Sequence, residues 1–156
     1  MNRSLLFAMA GAVVLLAAAA QAAPACKPVN GHFEATVVAP GSGHCPGVPG
    51  AFCTAGRVWG GIQGNYQFVM TGALPAGTIG GIPTALFFAG QSTIFMNDGS
   101  IVQGTDSGTL DVFGQGGFAS LIAFTAGGAG QIRLRGLFDA GAATTSGDYA
   151  GEFCAA

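Results

Sequence analysis

The chain has 156 residues, 28 of them glycine, with 50% hydrophobic and only 8% charged residues and a formal net charge of −2. That balance offers no basic patch for nucleic acid or acidic lipid. Recurrent Phe, Ile, Leu and Val argue against disorder, and the length suits one folded unit behind a leader.

The leader comes first. Asn2–Arg3 gives a positive start, Leu5–Ala20 an apolar run, and Ala20-Gln21-Ala22 an A-x-A cleavage site. Gly11 breaks the apolar run, which is shorter than the ~20 residues a membrane span needs. Residues 1–22 therefore read as a signal peptide, and 23–156 as a single domain with no stable membrane span once the leader is removed. The expected location is secreted or periplasmic.

Gly31–Val38 alternates His32, Glu34 and Thr36 against Phe33, Ala35 and Val37, the period of a half-buried strand. Ala39–Gly56, with three prolines and two cysteines, reads as the longest irregular segment, a surface loop stapled in place. Arg57–Thr71 reads as one strand with Ile62, Gly64, Tyr66, Phe68 and Met70 on one face; its glycines at 60, 61 and 64 suggest a bend or bulge. Ala73–Pro83 reads as a Gly/Pro-rich connection, and Thr84–Met96 as one kinked strand or two short ones.

Asn97-Asp98-Gly99 is a tight-turn signal that leads into Ser100–Phe113, and Gly114–Gly117 is a further turn. Phe118–Thr125 is apolar on both faces, which predicts a covering loop or subunit outside it. The glycines and alanine at 127–130 make a corner that only backbone without side-chain bulk can turn. They release a strand that sets Gln131, Arg133 and Arg135 against Ile132, Leu134 and Gly136. After the small, polar Ala140–Gly147, Asp148–Cys154 closes the chain with Tyr149, Gly151 and Phe153 on one face.

Seven or eight strands, no helix after the leader and turns every 8–14 residues are the pattern of a sandwich or barrel. The interior glycines favour a closed antiparallel β-barrel of about eight strands, because closing a small sheet needs sharp coiling. An outer-membrane barrel is the main rival, and the short strands and expected disulfides speak against it. Cys26, Cys45, Cys53 and Cys154 form an even set beyond a leader, so two disulfides are expected from three connectivities. In an even-stranded barrel the first strand starts and the last ends at one rim, which favours Cys26–Cys154 with Cys45–Cys53. The spacing lacks any C-x2-C pair, so zinc is disfavoured.

The segments Met96–Val112, Gly127–Phe138 and Gly147–Phe153 together resemble the allene oxide cyclase-like barrel superfamily, which includes dirigent proteins. The family's GTG-x-F-x-x-A-x-G run corresponds to Gly128–Gly136, with Ala129 for the Thr and Ile132 for the Phe. The turn Asp98-Gly99 and the closing Tyr149-x-Gly151 follow in order. The resemblance implies an eight-stranded barrel with an apolar lumen, often trimeric and free of metal or organic cofactor. Its members cyclise or isomerise reactive hydrophobic molecules, or guide their radical coupling, by holding them in shape.

No nucleophile triad, metal-ligand spacing or phosphate loop is present in the sequence. The lumen is the remaining place for chemistry. Tyr66, Phe68, Met70, Tyr149 and Phe153 are the candidate lining, with core packing as the plainer reading of each. Glu34, if inward, would be an acid or base, and Arg133 would steady an enolate or phenolate oxygen. A solvated outer face is the plainer reading for both. Tyr66 completes the candidate catalytic set through its hydroxyl. The expected function is binding of a hydrophobic small molecule, with cofactor-free cyclase, isomerase or lyase activity. A non-enzymatic dirigent-type carrier and a fully packed structural protein are the alternatives.

Overall fold

A computed structural model describes residues 25–155; the leader expected at residues 1–22 lies outside them. Eight strands run through the described residues: β1 (Cys26–Val38), β2 (Cys53–Gly60), β3 (Gly64–Ile79), β4 (Ile82–Met96), β5 (Ile101–Asp111), β6 (Gly117–Ala126), β7 (Gly128–Asp139) and β8 (Thr144–Ala155). Each pairs antiparallel with the next, and β8 returns to β1, closing the barrel. No helix among the described residues is long and apolar enough to cross a membrane.

Closure brings Cys26 opposite Cys154, and the two form a disulfide, while Cys45–Cys53 closes a short loop at the other rim. Such bridges persist in an oxidising environment. The alternation read from the sequence sets the faces. Val102, Gly104 and Asp106 of β5 are buried, while Gln103, Thr105 and Ser107 between them are exposed. Gln131, Arg133 and Arg135 of β7 are likewise outside, and Ile132 and Leu134 inside. A lipid-facing barrel needs an apolar outer band; these outward positions are mostly Thr, Ser, Gln and charged.

Two expectations fail in the same region. Arg57–Thr71 is two strands, because Gly60 takes a positive φ of 113° and the chain reverses over Gly61–Gln63. The turn is tied down by a 2.8 Å bond from Gly61 N–H to the Asn30 carbonyl. Ala73–Pro83 is no loose connection: it extends β3 and β4 into a long hairpin, with Leu74 opposite Phe87 and Ile79 opposite Ile82. Pro75 is tolerated there because β2 pairs with β3 only as far as Val69, so β3 beyond that point is an edge. Gly127 alone links β6 to β7 with φ 72°, and a Cβ there would collide with the Ile101 carbonyl.

The two ends of the barrel differ. Where β1, β3, β5 and β7 begin, the interior is solid: Val29, Ile94, Val102, Ile122 and Ile132 are buried, and Ile62 of the β2–β3 turn is only 1% exposed. Tyr149 of β8 holds this plug. Its hydroxyl accepts from Ile62 N–H at 2.7 Å and donates to the Ile62 carbonyl at 3.1 Å. The opposite end stays hollow.

Candidate functional site

The hollow end forms a cavity of about 400 Å³. Its wall is almost wholly apolar. Phe33, Phe52, Phe88, Phe118 and Phe138 supply the aromatic part, and Met70, Leu86, Leu110 and Leu134 the aliphatic part. The rings brace one another edge to face, with Phe33–Phe118 at 5.8 Å and Phe52–Phe138 at 5.7 Å between centroids. The volume lies within the range of small-molecule sites, about 300–1,000 Å³.

Polar groups gather at one place on this lining. Asp106 of β5, only 3% exposed, faces inward beside Tyr66 of β3, Ser92 of β4 and Ser120 of β6. Ser92 Oγ donates to Asp106 Oδ2 at 3.0 Å, and the Tyr66 hydroxyl donates to the same oxygen at 3.5 Å. Tyr66 and Ser92 are themselves 3.2 Å apart, oxygen to oxygen. Asp106 Oδ1 has no hydrogen-bond partner among the described residues.

Burial dominates the electrostatics of this cluster. It pushes the Asp106 carboxyl up to about 6, against the opposing effect of the Ser120, Ser92 and Tyr66 hydroxyls, which favour the charged form. Burial, and then the neighbouring Asp106 charge, hold the Tyr66 phenol far above its ordinary range. Tyr66 is therefore a fixed donor near neutral pH, whereas Asp106 changes charge there. All the cations among the described residues, Lys27, Arg57, Arg133 and Arg135, are exposed. The carboxylate thus has no counter-ion in the lumen.

Of the residues singled out in the sequence, Tyr66 and Met70 line the cavity. Phe68 is buried nearby, its ring against Gly90 and 5.8 Å from that of Phe88. Tyr149 and Phe153 lie at the solid end instead, one holding Ile62 and the other packed on Phe124 at 5.3 Å. Glu34 and Arg133 both point outward, so neither reaches the lumen. The reason is parity: Glu34 sits between buried Phe33 and Ala35, and Arg133 between buried Ile132 and Leu134. Glu34 faces Arg57 across the β1–β2 pair.

Asp106 is absent from the candidate set read from the sequence. A signal was present, because Asp106 shares its alternation with Val102 and Leu110, both apolar. What the geometry can do is confine an apolar molecule with one end against a buried acid and a fixed phenol donor. No family model, no curated protein and no solved structure matches the chain, so this lumen is the basis for any statement about function.

Proposed function

We propose that this is a secreted or periplasmic barrel that binds a hydrophobic small molecule in its lumen. The observation that carries the reading is the cavity itself: about 400 Å³, apolar on nearly every side, with a single ionisable cluster at Asp106 and Tyr66. A packed structural barrel would fill that space as its solid end does. The two disulfides are consistent with an exported protein.

The chemistry such a lumen supports is cofactor-free isomerisation, cyclisation or elimination. Asp106, poised near pH 6, would take or return a proton. Tyr66 and Ser92 would donate to an oxygen on which negative charge develops, and the aromatic walls would fix the reactive conformer. This agrees with the resemblance to allene oxide cyclase-like barrels, which also implies a trimer. The second reading, a carrier without turnover, is favoured by how little of the wall is polar.

Native mass spectrometry of protein purified from its own host tests the reading. Retention of an apolar molecule at one per chain is the expected result, and the same spectrum reports the oligomeric state. Incubating the extracted molecule with fresh protein then separates enzyme from carrier, since only an enzyme alters it. Repeated isolation of ligand-free protein that also takes up no apolar probe would count against lumen binding.

A further inference from the structure

The unpaired oxygen of Asp106 narrows the class of ligand. A buried polar atom without a partner is rare in folded proteins, because it loses its water and gains nothing in return. Asp106 Oδ1 is such an atom, on a residue only 3% exposed at the cavity wall: its sister oxygen is engaged by Ser92 and Tyr66, and the Ser120 hydroxyl, though close enough to favour the charged form, is not placed to donate to Oδ1. The free position therefore calls for a donor, and the apolar wall calls for a hydrocarbon or aromatic body behind it.

We propose that the lumen selects apolar molecules carrying a hydroxyl, a phenol or an alcohol, inserted hydroxyl first so that it donates to Asp106 Oδ1. This inference rests on the lumen-binding reading and deepens it. Anionic amphiphiles such as carboxylates are rejected by the same feature. The carboxylate would repel a second negative charge, and no lysine, arginine or histidine faces it from any strand. Tyr66 from β3, Ser92 from β4 and Ser120 from β6 are its polar surroundings, and only Tyr66 among them titrates. Molecules with no polar group would enter but leave Oδ1 unpaired.

The proposal also fixes a pH dependence. The donor preference belongs to the charged carboxylate. It is therefore strongest above the pH at which Asp106 ionises and fades as pH falls through that region.

Three matched probes test it: 2-naphthol, naphthalene and 2-naphthoate, titrated into the full-length mature protein by fluorescence or calorimetry. A hydrogen bond to a buried charged group supports a preference of about 10- to 100-fold for naphthol over naphthalene at pH 7.5, with naphthoate weakest. The preference should collapse in Asp106→Leu and shrink in Asp106→Asn. Should either variant fail to fold, the wild-type titration repeated at pH 5 serves instead, and there too the naphthol advantage should shrink. Equal binding of naphthol and naphthalene, or tighter binding of naphthoate, would overturn the inference while leaving the lumen as a binding site. Failure of all three to bind would remove the lumen reading and this inference with it.

Discussion

At the scale of single residues, Asp106 sets both a weakness and a use. Its carboxyl is pushed up from 3.8 to about 6, so the folded chain holds that proton more tightly than the unfolded chain. The folded state therefore binds more protons between about pH 4 and pH 6, and the stability it draws from this group falls as pH rises through that window. The loss amounts to about 3 kcal/mol. Asp106→Asn should remove this dependence. Denaturant unfolding at pH 4.5 and 7.5 should show the variant gaining on the wild type at the higher pH, whereas a constant difference would mean that Asp106 ionises normally. Alternation along β5 was enough to place Asp106 inside, and the same alternation placed Glu34 and Arg133 outside. For Glu34 and Arg133 the outer-face reading holds, and the lumen role fails because it rested on the chemistry they offered rather than on the parity of their strands.

At the scale of elements, the solid end depends on the β2–β3 turn. Ile62 works as a plug because Tyr149 occupies both of its backbone polar groups. Tyr149→Phe leaves a buried N–H and C=O without their partner and should destabilise the fold by about 1–3 kcal/mol. Because the change lies at the closed end, probe affinity in the cavity should stay within about twofold. A large loss of affinity in a folded Tyr149→Phe protein would show that the two ends are coupled. This turn was illegible as a turn because Tyr66, Phe68 and Met70 continue the alternation through Gly64 back to Ile62. A run of glycines inside a strand pattern signals bulge and reversal alike. Asn97–Gly99 was easier. There the Asp98 carboxylate accepts from the Ser100 N–H at 2.9 Å and from its hydroxyl at 2.6 Å, local chemistry written into adjacent residues.

At the scale of the whole molecule, closure is the decisive event, and Cys26–Cys154 ties the first strand to the last across 128 residues of chain. Constraining so long a loop contributes about 2–5 kcal/mol on chain-entropy grounds. The double variant Cys26→Ala/Cys154→Ala should unfold at lower denaturant by that margin while keeping the β1–β8 pairing when folded. An unchanged midpoint would show that strand pairing alone closes the barrel. The closed all-β fold was legible because turns, alternation, interior glycines and an even cysteine set agree with one another. The division into a solid and a hollow end was not, since it depends on which inward residues of eight strands meet at each level.

The central claim is that the hollow end takes an apolar molecule, and amide and methyl NMR of the labelled protein titrated with 2-naphthol addresses it most directly. The account predicts saturable shifts confined to Leu86, Asp106, Leu110, Phe118, Ser120 and Leu134, with Ile62, Tyr149 and Phe153 unmoved. Shifts scattered over the outer face, or none at all at probe saturation, would contradict it.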